Sequence, residues 1–453
     1  MNLLRIKDNS KYPKESFHSI PKLKNAIADK TINQLSEEGV FIYPGIKESE
    51  DLTKEQMILQ SVNYSCRTGN IMGFIGYSDG DNDEKLIIQS RFSNEDNEDY
   101  FFRYMLSKIS STNVFDLQTD TDFEGQLFNY LYFLFPMYLQ TAMRKGLFKE
   151  YIRKQYNDVS IKGTIEIARH IKLNTPFLGD VAYCQREFSY DNDVMELIRH
   201  TIEFIKTKEF GKTLLSKVSD EIKAVIEATS NYKLANRQKV ISANIKKPII
   251  HAFYYEYRAL QNLCLWILQH RKHQIGFGTS KIYGILFDGS WLWEEYINTL
   301  IGAHFYHPMN KGNSGAQWLF FDNENHFNGL IYPDFISRDK ENRIITDAKY
   351  KPIKNIGRDD YLQLVAYLYR FDSRRGYYVY PESGDNDDDS LFLLKGSSYD
   401  NTDKDSYKRF PSDIIISKLG LRIPQYAVSF NHFCSQMIVS ENNFKKEIRF
   451  IDL

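Results

Sequence analysis

Ile331-Tyr332-Pro333-Asp334-Phe335 and, further along, Asp347-Ala348-Lys349 are the residues on which the reading of this chain turns. They fall in two apolar-rich runs, Leu330 to Arg338 and Arg343 to Lys349, separated by the polar stretch Asp339-Lys340-Glu341-Asn342. Two such runs around a short polar segment predict a β-hairpin. Pairing across the turn brings Asp334 near Asp347, and the two-residue period of a strand sets Lys349 on the same face as Asp347. Two carboxylates beside an ammonium group suit a hard divalent cation and an activated water. Mg²⁺ takes oxygen ligands in near-octahedral geometry, often through one or two carboxylates completed by substrate phosphate. It lowers the pKa of bound water and offsets charge on a phosphate as a bond breaks.

The flanks carry further chemistry. Upstream, Trp291-Leu292-Trp293-Glu294-Glu295-Tyr296-Ile297 opens a helical pattern that can bring Glu294 or Glu295 to the same cation. Downstream, Asp360 to Tyr367 predicts a helix with Gln363 and Tyr367 one turn apart on one face. Pro333-Asp334 with Asp347-Ala348-Lys349 resembles the motif of the PD-(D/E)xK nucleases. Three common residue types at loose spacing also fit an ordinary charged hairpin. The order of helix with Glu, hairpin with Asp and Asp-x-Lys, then helix with Gln-x-x-x-Tyr is what favours the nuclease core.

Length and composition bound the rest. A chain of 453 residues is long for one domain. Its formal net charge of −1 gives no global basic field, so contact with nucleic acid must rest on local clusters. Cys66, Cys184, Cys264 and Cys434 stand far apart, which argues against a zinc ribbon or a disulfide framework and fits a reducing cytoplasm. The N-terminus lacks the apolar core of a signal peptide, and the run from Leu127 to Leu139 is short and aromatic for a membrane span. The expectation is a soluble, cytoplasmic protein without a membrane partner.

Taken in order, residues 1–122 predict a small β-containing N-terminal domain. Its hairpin runs from Gly69 to Tyr77 and from Lys85 to Phe92, and a helix over Tyr100–Ile109 packs on that sheet. Residues 1–60 read as polar with short apolar patches such as Val40-Phe41-Ile42-Tyr43. Residues 123–275 read as largely helical, with a basic stretch from Arg144 to Lys172 that is either a solvated helical face or a phosphate-tracking surface. A second basic stretch, Lys239 to Lys247, precedes a helix through Tyr257. Gly211-Lys212-Thr213 imitates the end of a Walker A loop. That motif needs Gly at position 206, where this chain has Lys206, so no nucleotide is expected to bind the chain itself. Residues 276–453 carry the nuclease pattern, with a buried strand from Arg375 to Pro381. Asp385 to Asp389 lacks the glycine and glutamate of an EF-hand and reads as a solvated acidic loop, and the tail through Phe444 to Ile451 closes or covers the sheet edge.

With these residues in view the chain resembles the McrC family, the nuclease subunit of McrBC-type modification-dependent restriction systems. The likeness extends to Gly146-Leu147-Phe148-Lys149-Glu150-Tyr151, Ile161-Lys162-Gly163-Thr164-Ile165, Cys184 through Asp191, and Gly284-Ile285-Leu286-Phe287-Asp288. It spans roughly residues 60 to 380 and is strongest over 284–367. The resemblance implies an α+β or α/β chain: a β-containing N-terminal domain, a helical middle, and a PD-(D/E)xK core with a mixed sheet flanked by helices. It implies a separate McrB-like AAA+ GTPase ring that the N-terminal domain docks on and stimulates, and double-stranded DNA, methylated or not, as substrate. By the same resemblance Asp334, Asp347, Lys349 and Glu294 do the cutting, with Glu295 the alternative helix carboxylate. Asp334, Asp347 and the Ala348 carbonyl hold Mg²⁺, Lys349 orients or deprotonates the attacking water, and Gln363 and Tyr367 support the site. A non-cutting adaptor of the ring and an autonomous repair-type nuclease are the competing functions.

Overall fold

The computed structural model describes residues 2–38, 40–43, 56–79, 83–94, 99–109, 123–208, 210–269, 282–308, 315–384, 390–393 and 413–448. The acidic run Asp385–Asp389, the proposed start of the nuclease segment at Gly276 and the end of the tail from Arg449 lie outside them. Where the sequence suggests three successive domains, the chain packs as two compact units: residues 124–275, and residues 1–123 together with 276–453. Strands and helices are numbered along the chain.

In the larger unit a five-stranded sheet has the order β1 (Asn2–Lys7), β7 (Asp83–Gln89), β6 (Ile71–Ser78), β11 (Ile282–Asp288) and β3 (Val40–Tyr43). The hairpin of β6 and β7 is the one expected from the sequence. Between β6 and β3 lies β11, from beyond the middle region, antiparallel to the first and parallel to the second. Ile282 and Leu286 therefore share a core with Ile6, Ile42, Ile75 and Leu86. This is why the two ends of the chain fold together: a continuous apolar strand is buried only inside a sheet covered on both faces. Gly73 is required where β6 meets β11, since it has φ +131° and an added Cβ would lie 2.1 Å from the Ile285 carbonyl oxygen.

The first sixty residues hold more structure than their polarity suggests. β2 (Lys11–Pro13), β5 (Ser65–Thr68) and β4 (Leu59–Val62) form a small sheet. Helices α1 (Pro21–Ile27) and α2 (Ile32–Glu37) bury Leu23, Ile27, Ile32 and Leu35 in the same core. Thr31 starts α2 with a capping box, its hydroxyl accepting from Gln34 N–H while the Gln34 side chain accepts from Thr31 N–H.

A six-stranded mixed sheet forms the second layer, in the order β12 (Phe305–Tyr306), β15 (Phe335–Ser337), β16 (Ile344–Ala348), β17 (Arg375–Glu382), β19 (Ile415–Arg422), β18 (Ser390–Phe392). β16, β17 and β19 run parallel, and β15 pairs antiparallel to β16. The helix read over Tyr100–Ile109 is present as α3, and Phe102 meets Phe287 of β11 at 5.4 Å. Three more helices frame this sheet: α11 (Gly289–Ile301), α12 (Arg358–Arg370) and α13 (Phe430–Glu447). α13 delivers a buried carboxylate, Glu441, that accepts from Tyr104 OH at 2.7 Å, Tyr296 OH at 2.8 Å and Lys108 Nζ at 3.0 Å. One satisfied acid thus ties α13 to α3 and α11.

The smaller unit departs from its helical reading. α4 (Phe123–Met143), α6 (Asp193–Lys206), α7 (Gly211–Ser216), α8 (Ser219–Ala228), α9 (Arg237–Lys246) and α10 (Tyr255–Gln269) are helical. Between α4 and α6, however, stand β8 (Glu150–Asp158), β9 (Thr164–Ile165), helix α5 (Ile167–Leu173) and β10 (Val181–Ser189) in a sheet of order β8-β10-β9. The basic stretch from Arg144 to Lys172 therefore holds strands β8 and β9 and most of the short helix α5, and is not one helical face. Alternation along Tyr151, Arg153, Gln155 and Asn157 outweighs its charge-rich composition. Gly211-Lys212-Thr213 opens the short helix α7. Among the described residues no helix is long and apolar enough to cross a membrane.

Two buried acids in the larger unit set a pH dependence. Burial pushes Asp8 up to about 6 against the pull of Arg91, whose guanidinium lies 2.7 Å away. Burial likewise pushes Asp99 up to about 7 against the N–H groups of Ser90 and Phe102. Both values exceed those of an unfolded chain, near 4, so between about pH 4 and 7 the folded protein holds more protons. The stability they confer is complete below the unfolded value and falls as pH rises, by up to about 1.4 kcal/mol per pH unit for each group. Asp99→Asn is expected to flatten the fall in melting temperature between pH 5 and pH 8, measured by circular dichroism.

Candidate active site

The hairpin that organises the sequence is built from β15 and β16, with Phe335 opposite Thr346 and Ile336 opposite Ile345. Its first strand is shorter than the apolar run suggested. Leu330 and Ile331 belong to β14 (Phe327–Ile331), which pairs back onto β13 (Gln317–Phe321) in a separate two-stranded ribbon. The break falls at Tyr332-Pro333-Asp334, where proline has no N–H for a ladder. Freed from the strand, the Asp334 carboxylate accepts from Ala348 N–H at 2.7 Å. It therefore lies against the peptide joining Asp347 to Ala348.

Asp347 sits inside β16, opposite Tyr378 of β17, with its side chain 2% exposed. Among the described residues neither of its carboxylate oxygens has a hydrogen-bond partner. Lys349 Nζ lies 2.8 Å from Oδ2 as an ion pair, outside hydrogen-bonding alignment. A buried carboxylate without donors is costly unless a cation meets it. Burial by itself would lower the Lys349 pKa. The Asp347 and Asp334 carboxylates, with Asp360 behind them, outweigh burial and hold it well above the usual lysine range. Lys349 therefore keeps its proton.

From Lys349 a chain of contacts runs onto α12. Its ammonium donates to Gln363 Oε1 at 3.1 Å, Gln363 Nε2 donates to Tyr367 OH at 2.8 Å, and Tyr367 OH donates to the Tyr332 carbonyl at 3.2 Å. The turn that carries Asp334 and the strand that carries Asp347 are thus joined through the two residues the sequence placed one helical turn apart. Burial and the neighbouring Asp347 and Asp334 push the Tyr367 phenol above its ordinary range, so it stays protonated and able to donate.

The structure adds residues that sequence reasoning missed. Asp360 accepts both from Gly357 N–H at 2.9 Å and from Lys351 Nζ at 2.7 Å, and lies 3.8 Å from Lys349 Nζ. Burial would raise its pKa, but Lys351 above all, with Gly357 N–H and Lys349, lowers it below the usual carboxylate value. The signal was present as an acid three residues after Gly357 in the first turn of a helix. His307 was invisible: its ring stacks on Phe335 with centroids 4.7 Å apart, Nδ1 is 2.6 Å from the Asp334 carbonyl oxygen, and Nε2 is 3.9 Å from Glu295 Oε1. Of the two adjacent acids on α11, Glu295 is linked to the Asp334 turn through His307. Glu294 is half-buried one position earlier on the helix.

Two carboxylates, one of them met by a lysine ammonium, offer oxygen ligands of the kind a hard cation takes. Among the described residues no group of three or more His, Cys, Asp or Glu gathers at one point. Two protein carboxylates with water and phosphate completing the shell are what Mg²⁺ commonly uses.

Comparison with known proteins gives the following. The model of the family described as McrBC 5-methylcytosine restriction system component matches residues 66–381. A chain in the refined half-complex from the tetradecameric assembly of Thermococcus gammatolerans McrB AAA+ hexamers with bound McrC is 13% identical. The match covers 99% of this chain and 100% of that one, with a TM-score of 0.44. A chain in the cryo-EM structure of the Thermococcus gammatolerans McrBC complex is also 13% identical, over 66% of this chain and 87% of that one, with a TM-score of 0.28. None of the curated proteins matches.

Tyr367→Phe removes one hydroxyl that bridges Gln363 and the Tyr332 carbonyl. Urea denaturation is expected to show a loss of roughly 1 kcal/mol.

Proposed function

The chain belongs to the McrC family of McrBC 5-methylcytosine restriction system components, and from that premise we propose that it is the endonuclease subunit of such a system. It cleaves phosphodiester bonds in double-stranded DNA with Mg²⁺, in complex with a McrB-like AAA+ GTPase ring whose hydrolysis it stimulates. The observation that carries the catalytic part is Asp347, buried and without hydrogen-bond donors, with Asp334 against the next peptide and Lys349 alongside. Support for the ring partner comes from the family and from the McrB hexamers named with McrC in the T. gammatolerans assembly.

Asp334, Asp347 and the Ala348 carbonyl would hold the Mg²⁺, which when bound supplies a more acidic water and neutralises charge on the phosphate. Lys349, beside these acids, would orient or deprotonate the attacking water, and its ammonium form can stabilise the extra negative charge on the phosphate. Gln363 holds the Lys349 ammonium, and Tyr367 holds Gln363 and the Tyr332 carbonyl. Glu294, or Glu295, which is reached from the Asp334 turn through His307, would be the helix carboxylate.

The test is plasmid cleavage with Mg²⁺, on methylated and unmethylated DNA, by the chain alone and with its AAA+ partner and nucleotide. Cutting is expected only in the complete mixture. Asp347→Asn, which keeps the side-chain volume, is expected to lower cutting by at least ~10²-fold and to leave stimulation of nucleotide hydrolysis unchanged. Cutting by the chain alone would make it an autonomous nuclease. Hydrolysis stimulated with no cutting by wild-type protein would make it an adaptor.

A further inference from the structure

β16 ends at Ala348, the last of its residues paired with β17, so the ladder that fixes Asp347 stops short of Lys349. Lys349 N–H still donates to the Val379 carbonyl at 2.8 Å, and there the chain leaves the sheet. Lys351 N–H donates to the Lys349 carbonyl at 2.8 Å, which makes a three-residue turn with Tyr350 at its centre. The backbone of Lys349 is therefore set from two places. Its N–H side is set by the sheet, and its carbonyl side by where Tyr350 is held.

Tyr350 is buried in a socket made mainly by the N-terminal part of the chain. Its hydroxyl lies 2.7 Å from Ser90 Oγ and donates to Met72 Sδ at 3.3 Å. The Arg91 guanidinium lies 4.7 Å from the ring centroid, and the Phe92 ring meets it edge-on at 5.1 Å. Arg91 is held in turn, donating to Asp8 Oδ2 at 2.7 and 3.1 Å and to Asn70 Oδ1. At the start of α11 the ring needs Gly289, where an added Cβ would lie 2.9 Å from Cε1. An apolar pocket would bury the same ring. Polar contacts from β6 and from the residues after β7 also fix its orientation, because hydrogen bonds are directional and a volume fit is not.

We propose that Tyr350 is a positioning residue for Lys349, and that Ser90 and Arg91 set its place, which makes the end of the first sheet a working part of the cutting site. The inference rests on the nuclease reading of Asp347 and Lys349. Of the groups in that site the lysine most needs such support, since its flexible stem carries about 2 kcal/mol of rotamer entropy. A misplacement of about 1 Å in a reacting group can cost about 10²-fold in rate. Tyr350 is buried and acts only through its neighbour, so its loss falls on the chemical step and not on DNA affinity. The signature is a lower kcat at unchanged KM.

The experiment measures kcat and KM for plasmid cutting by the full chain with its AAA+ partner, nucleotide and Mg²⁺, below the melting temperature of every variant. Tyr350→Phe and Ser90→Ala remove the same hydrogen bond from its two ends. Each is expected to lower kcat roughly 10-fold, with KM and the stimulation of nucleotide hydrolysis unchanged. The double variant is expected to be no slower than either single one, because both delete one interaction. Tyr104→Phe is the control, since it deletes a buried hydroxyl of the same kind that serves Glu441. It is expected to melt lower than wild type and to cut at the wild-type rate. Wild-type kcat in Tyr350→Phe and Ser90→Ala overturns the inference and leaves the nuclease reading standing. So does a loss of rate that follows melting temperature across all three substitutions, which would make the socket a structural contact alone. No cutting by the wild-type mixture is a separate result, and it removes the nuclease reading and this inference together.

Discussion

A single buried group, the carboxylate of Asp347, imposes the constraint around which the second sheet is arranged. It lies within a strand of that sheet, 2% exposed, and the group that meets it is the Lys349 ammonium, 2.8 Å from Oδ2. Removing such a charge from water costs several kcal/mol in a real protein interior. Lys349 returns part of that cost from 2.8 Å away, and the rest of the arrangement fixes Lys349: Gln363 from α12, with Asp334 and Asp360 around it. A fold optimised for stability alone would have satisfied or replaced this acid. Such an under-satisfied acid is what the proposed cation site rests on.

The site rests on a frame drawn from both ends of the chain. β11 completes the N-terminal sheet, and its last residue, Asp288, caps α11 by accepting from Ser290 N–H at 3.0 Å. From α11, Trp293 Nε1 donates to the Val379 carbonyl at 3.2 Å, while that same carbonyl accepts from Lys349 N–H at 2.8 Å. The residue after Lys349 is anchored in the other direction. Tyr350 OH is 2.7 Å from Ser90 Oγ, and the Arg91 guanidinium lies 4.7 Å from its ring. Asp347-Ala348-Lys349-Tyr350 is thus clamped between α12 on one side and the residues that follow β7 on the other. A displacement of the N-terminal sheet would be felt within one residue of Lys349.

What the sequence made legible follows from which interactions are local. The hairpin of β15 and β16, the helices carrying Trp293 and Gln363, and the strand from Arg375 were readable because periodicity and turn chemistry are written in neighbouring residues. The Gln363–Tyr367 pair was readable because helical spacing fixes it. His307 was not, since its place depends on a ring stack with Phe335 and a contact with a backbone carbonyl, neither of which leaves a pattern. Nor was the union of the two ends of the chain, which depends on where β11 inserts. The β8–β10 sheet was misread because eight basic residues between Arg144 and Lys172 masked a two-residue alternation. In that segment burial is slight, so the contrast between apolar and polar positions that usually announces a strand is weak.

The most direct test of the central claim is thermal unfolding of the metal-free chain titrated with Mn²⁺ or Mg²⁺, comparing wild type with Asp347→Asn. If Asp347 is a cation ligand, metal stabilises the wild-type protein, by about 2.7 kcal/mol at a hundred times the dissociation constant, and raises its melting temperature. The variant is expected to show no metal-dependent shift. An equal metal-induced shift in both proteins, or none in wild type at millimolar metal, would contradict the account.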